Sequence, residues 1–98
     1  MTIQQVVSEI LTYIRNNGGR YADWYAGITS DPQQRLFVEH AVKKSGDAWI
    51  SRDAENETMA RYAEKQFLDL GMIGDVGGGD STTRYVYAYK IGPHTKEA

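Results

Sequence analysis

Trp24 to His40 reads W-Y-A-G-I-T-S-D-P-Q-Q-R-L-F-V-E-H. The run places a tyrosine, Tyr25, shortly before an arginine, Arg35, and a histidine, His40. A fixed guanidinium holds negative charge that builds on phosphoryl oxygens, through paired hydrogen bonds. A tyrosine hydroxyl or an imidazole nearby can relay a proton. A guanidinium beside groups that can carry a proton suits chemistry on an anion, and Tyr25, Arg35 and His40 are the catalytic candidates of those types. Gly27, Thr29 and, from a later strand, Tyr87 are the candidate substrate contacts. Each also has a plainer reading. Arg35 and Glu39 stand four apart, the spacing of a helical surface ion pair. His40 shares an apolar face with Leu36 and Phe37, where a hydrogen-bonded core histidine is equally at home. Tyr85, Tyr87 and Tyr89 have the period-two spacing of residues that pack across a sheet.

The elements that must position these residues follow from periodicity and punctuation. Thr2 and Gln5 have capping-box spacing, and Ile3, Val6, Val7, Ile10, Leu11 and Ile14 form a helical stripe closed by Asn16-Asn17-Gly18-Gly19. Tyr21 to Thr29 alternates like a strand. Asp31-Pro32 opens a second helix, and Lys43-Lys44-Ser45-Gly46 supplies its end. Ala48 to Ile50 is a short strand, and Glu55 to Leu70 a third helix with the stripe Met59, Ala60, Ala63, Phe67 and Leu70. Gly74 to Asp80 is a glycine-rich loop, a lid or a long turn; without Lys and Ser/Thr it is no P-loop. Arg84 to Ile91 is the clearest strand. The expectation is a small α/β (α+β) domain over residues 1–91. Three helices pack on a three-stranded mixed or antiparallel sheet whose central strand is left open. Residues 92–98 are expected to fray.

With Tyr25-Ala26-Gly27, Thr29 and Arg35 in view, the segment resembles the YIG half of the GIY-YIG endonuclease family. In that family the motif runs through a short turn into a helix bearing the catalytic arginine. The resemblance implies one metal-holding carboxylate on a later helix, a small residue standing one turn before it. Glu64, four residues after Ala60, fits that place best. It also implies phosphodiester hydrolysis with one Mg²⁺ or Mn²⁺ ion, Arg35 holding the phosphate, Tyr25 among the candidate bases, and His40 and Thr29 in support. No GIY strand precedes Tyr25. The strand Tyr85-Val86-Tyr87 can fill that place in space, entering from later in the chain.

Composition bounds the rest. The 98 residues suit one domain. The absence of cysteine excludes a disulfide framework and thiolate metal sites. No apolar run approaches the ~20 residues that span a bilayer, and no signal peptide is visible, so a cytoplasmic location without membrane association is expected. Formal charge is −2, and no basic stripe is evident to hold a nucleic-acid backbone. Two functions are therefore expected. One is a metal-dependent phosphodiesterase or DNA endonuclease. The other is a catalytically degenerate module of the same fold that binds a protein or nucleic acid through its tyrosine strand and glycine loop.

Overall fold

The computed structural model describes residues 1–74 and 80–97, so most of the glycine loop expected as a lid or turn lies outside the described residues. Helix α1, Ile3–Asn17, begins with the expected box: Thr2 Oγ1 accepts from the Gln5 amide at 3.2 Å, and the Gln5 side chain accepts from the Thr2 amide at 2.8 Å. Strand β1, Trp24–Thr29, starts later than its alternation implies. Asp23 Oδ2 accepts the Arg20 amide at 2.9 Å, and the Asp23 amide donates to the Arg20 carbonyl, so Tyr21–Asp23 is wound as a 3₁₀ turn instead.

The second helix differs from expectation in length and winding. Asp31 Oδ1 caps the Gln34 amide at 3.1 Å. The chain then forms a π-helical segment, Gln34–Glu39, whose last bond runs from the His40 amide to the Arg35 carbonyl at 2.9 Å. Ala41, at φ 58°, breaks the helix there. Lys43 and Lys44 lie in a separate turn closed by Asp47 Oδ2 on the Lys43 amide. They therefore do not neutralise a helix end as their sequence position suggests.

Strand β2, Trp49–Asp53, leads to helix α2, Glu57–Asp69, capped by the Asn56 side chain on the Met59 amide at 2.9 Å. The buried face of α2 is Ala60, Ala63, Glu64 and Phe67, while Met59 and Leu70, expected in the stripe, are exposed. Strand β3, Tyr85–Lys90, lies in the centre of the sheet and pairs antiparallel with both neighbours, in the order β1-β3-β2. The sheet is thus wholly antiparallel.

Its two faces carry different chemistry. One presents Trp24, Ala26, Ile28, Ile50, Val86 and Ala88 to Val6, Ile10 and Ile14 of α1 and to Ala60, Ala63 and Phe67 of α2. The other gathers Tyr25, Tyr87 and Tyr89 with Leu36 and Val42. Period-two alternation along β1 and β3 produces this division, because successive side chains point to opposite faces. The outer edge of β1 is covered by Ile73, whose carbonyl accepts the Ala26 amide at 2.8 Å and whose amide donates to the Trp24 carbonyl at 2.9 Å. Residues 92–97, expected to fray, instead fold back: the Lys96 amide donates to the His40 carbonyl at 2.8 Å. No helix among the described residues is long and apolar enough to cross a membrane.

Candidate functional site

The tyrosine face of the sheet brings most of the sequence candidates together, and their common point is the Tyr87 hydroxyl. Arg35 Nε donates to it at 3.2 Å, and it lies 2.8 Å from His40 Nε2. Tyr25 stacks on Tyr87 at 6.3 Å between centroids and packs against the His40 ring at 4.7 Å. Gly27 is the cross-strand partner of Tyr87. A β-carbon at Gly27 would sit 2.4 Å from the Tyr87 hydroxyl, so the glycine of Tyr25-Ala26-Gly27 is what makes room for that oxygen. Glu64 is buried on α2, the helix that packs on the sheet's other face.

The π-winding explains how Arg35 and His40 serve one hydroxyl. In an α-helix, residues five apart point about 140° away from each other. The wider i→i+5 turn brings them back toward one side. Thr29 plays a different part. Its hydroxyl accepts the Asp31 amide at 3.0 Å and donates to the Asp31 carbonyl, which shapes the turn that launches the π segment.

The cluster is sealed. Tyr25, Tyr87 and His40 are 3%, 1% and 1% exposed. Its link to solvent is Arg35, whose side chain is one-third exposed and whose Nη1 pairs with Glu39, the ion pair that the spacing allows. Arg35 borders a groove of about 370 Å³ together with Thr29, Ser30, Glu39 and Asp80.

Sequence reading missed two partners of His40 and the carboxylate behind one of them. Its Nδ1 faces the Lys96 carbonyl and lies 3.1 Å from the Tyr89 hydroxyl, which donates to Glu97 Oε2 at 2.8 Å. The alternation of Tyr85, Tyr87 and Tyr89 put Tyr89 on the same face as Tyr87. No local signal marks Lys96, whose carbonyl meets His40 from far along the chain, or Glu97, which turns back onto Tyr89.

Protonation follows from burial. Burial holds the Tyr87 phenol well above its ordinary range, and the Arg35 charge offsets only part of that. Burial and the hydrogen bond to Glu97 raise Tyr89 likewise. Burial lowers His40 below 6.5, and the Arg35 charge adds to the effect, against the pull of the Lys96 carbonyl. Burial disfavours the charged form of Arg35 too, but the bonds to Glu39 and Tyr87 outweigh it and keep the guanidinium protonated. Near neutral pH the cluster therefore holds a neutral His40, a neutral Tyr87 and a cationic Arg35. In that state the Tyr87 oxygen accepts from Arg35 Nε, and its hydroxyl lies within hydrogen-bond reach of His40 Nε2.

Glu64 supplies the kind of hard oxygen donor that a divalent cation takes. Among the described residues, no three His, Cys, Asp or Glu side chains group as a ligand set. No family model, curated protein or solved structure matches the chain.

Two outcomes follow from this geometry. Gly27→Ala should destabilise the fold by about 1–3 kcal/mol, because the buried Tyr87 ring must shift. A thermal melt should move down by several degrees, and an unchanged melt would contradict the packing. The second concerns pH. His40 has a folded-state pKa below that of the unfolded chain, so its contribution to stability is complete above about 6.5 and is lost as pH falls through the range beneath. Urea midpoints should decline from pH 7.5 to pH 5, and His40→Gln should flatten that decline. An equal decline in the variant would locate the sensitivity elsewhere.

Proposed function

We propose that this chain is a GIY-YIG-like domain that hydrolyses phosphodiesters, with DNA as the substrate class, and that β3 takes the place of the missing GIY strand. The convergence of Gly27, Arg35 and His40 on the Tyr87 hydroxyl, with the Tyr25 ring beside them, carries the reading. These residues were selected for their order in the chain, and β3 pairs directly with the strand that bears Tyr25-Ala26-Gly27.

The roles follow from the groups. Arg35, at the groove, binds a phosphate oxygen with the guanidinium nitrogens not engaged by Tyr87. Glu39 occupies one of them and must yield to the substrate, which is within reach because exposed ion pairs are worth only ~0.2–1 kcal/mol. Tyr87 is too weak an acid to serve as an anion, so it acts as a relay. Once Glu39 yields and water enters beside Arg35, the Tyr87 oxygen takes the proton of the attacking water as its own hydrogen passes to His40 Nε2. Tyr25 walls the His40 ring and keeps bulk water from it. Glu64 would hold Mg²⁺ or Mn²⁺, which when bound stabilises the leaving oxygen and acidifies a bound water.

A second reading has its own support. The sealed tyrosines and the acidic groove, with Glu39 and Asp80 against Arg35, suit a degenerate domain that binds a partner through its surface without cutting. Cleavage assays on labelled branched and single-stranded DNA at low salt, with Mg²⁺ or Mn²⁺, separate the two. We expect metal-dependent cleavage that Arg35→Ala lowers by about 10²-fold or more, and that Glu64→Gln abolishes, with the fold intact. No cleavage by the wild-type domain, or cleavage indifferent to both substitutions, would favour the binding module.

A further inference from the structure

We infer that the segment following β3 is a positioning element for His40: the main-chain carbonyl of Lys96 and the Glu97-oriented hydroxyl of Tyr89 fix the imidazole as its Nδ1–H tautomer and leave Nε2 as the acceptor facing Tyr87. The consequence for catalysis rests on the proton relay proposed above; the positioning itself does not.

The argument is one of donors and acceptors. A carbonyl only accepts, so the Lys96 oxygen against Nδ1 requires a hydrogen there. The second neighbour of Nδ1 leads to the same result. The Tyr89 hydroxyl gives its hydrogen to Glu97 Oε2 at 2.8 Å, which leaves its oxygen free to accept from Nδ1 at 3.1 Å. The opposite tautomer fails on both sides of the ring. It would set a bare Nδ1 lone pair against the Lys96 carbonyl. It would also aim an Nε2–H at the Tyr87 oxygen, which accepts from Arg35 Nε too, and so leave the Tyr87 hydrogen without an acceptor among these groups. Only with Nε2 bare does the Tyr87 hydrogen have a partner among these groups.

The segment is fastened so that this contact is held. The Lys96 amide donates to the His40 carbonyl at 2.8 Å, which makes the pairing of the two residues reciprocal. A turn closes it upstream, where the Gly92 amide donates to Thr95 Oγ1 at 3.0 Å and the Thr95 amide to the Gly92 carbonyl at 3.2 Å. His94 Nε2 pairs with Asp47 Oδ2, tying the segment to the turn that follows the π helix. The charged and titratable groups around the His40 ring are Arg35, Glu39, Tyr25, Tyr87, Tyr89 and Glu97.

The test reads the tautomer directly and needs no substrate. The full chain labelled with ¹⁵N-histidine is examined by long-range ¹H–¹⁵N NMR at neutral pH, with His94 as the internal comparison. His40 should show a protonated Nδ1 and a bare Nε2. Lys96→Pro removes the amide that donates to His40 and displaces the carbonyl, so the Nδ1–H signature should be lost in favour of a mixture. Glu97→Ala frees the Tyr89 hydrogen to turn toward Nδ1 and should shift the balance the same way. It serves as the second variant should Lys96→Pro disturb β3, whose amide shifts report the fold. An Nε2–H tautomer in the wild-type chain would overturn the inference, as would a folded pair of variants with the wild-type signature. A chain with the expected tautomer that cuts no DNA would sustain the positioning role and defeat the phosphodiesterase reading.

Discussion

The Tyr87 hydroxyl is buried, and a buried hydroxyl without partners costs about 1–3 kcal/mol. Here it has one donor and one acceptor, Arg35 Nε and His40 Nε2, from opposite ends of one short helical segment. Satisfying that oxygen constrains much of the rest. β3 must be central, so that its tyrosine face is covered. The segment from Gln34 to Glu39 must wind more widely than an α-helix to turn Arg35 and His40 toward the same point. Residue 27 must lack a β-carbon.

A small chain has one core to offer, and the two sheet faces divide its labour. The face toward α1 and α2 is aliphatic apart from Trp24 and Phe67, and it provides most of the burial. The tyrosine face is half polar, and its hydroxyls can be buried only because each is answered: Tyr87 by Arg35 and His40, Tyr89 by Glu97 and His40. The groups that suit phosphodiester chemistry thus also hold the second face together. That is why Arg35 alone among them reaches the solvent, and why the segment 92–97 is drawn onto the sheet.

Much of this was legible in the sequence where the signal is local. The capping box at Thr2, the alternation of Tyr85 to Lys90 and the Asp31 cap each depend on neighbours within a few residues, and each formed as read. The candidates Tyr25, Gly27, Arg35 and His40 were likewise visible as types at a spacing. What escaped was set by tertiary contact. The lysines at 43 and 44 read as a helix end, but the positive φ of Ala41 had already ended the helix. Lys96 and Glu97 read as a loose end because Lys96 acts through its main chain on His40, distant in sequence, and Glu97 meets Tyr89 only once the segment after β3 turns back. The strand order could not be read because β3 gains its central place only by pairing on both sides at once.

The central claim is that Arg35, Tyr87 and His40 act as one coupled unit through a shared hydroxyl. A double-mutant cycle on His40→Gln and Tyr87→Phe, read as unfolding free energies in urea, tests it most directly. If the hydroxyl is shared as described, the two substitutions should be non-additive, with an interaction energy in the range of about 0.5–3 kcal/mol found for residues in one hydrogen-bond network. Additive effects, within about 0.3–0.5 kcal/mol, would show that the two side chains stabilise the fold independently and would contradict the account.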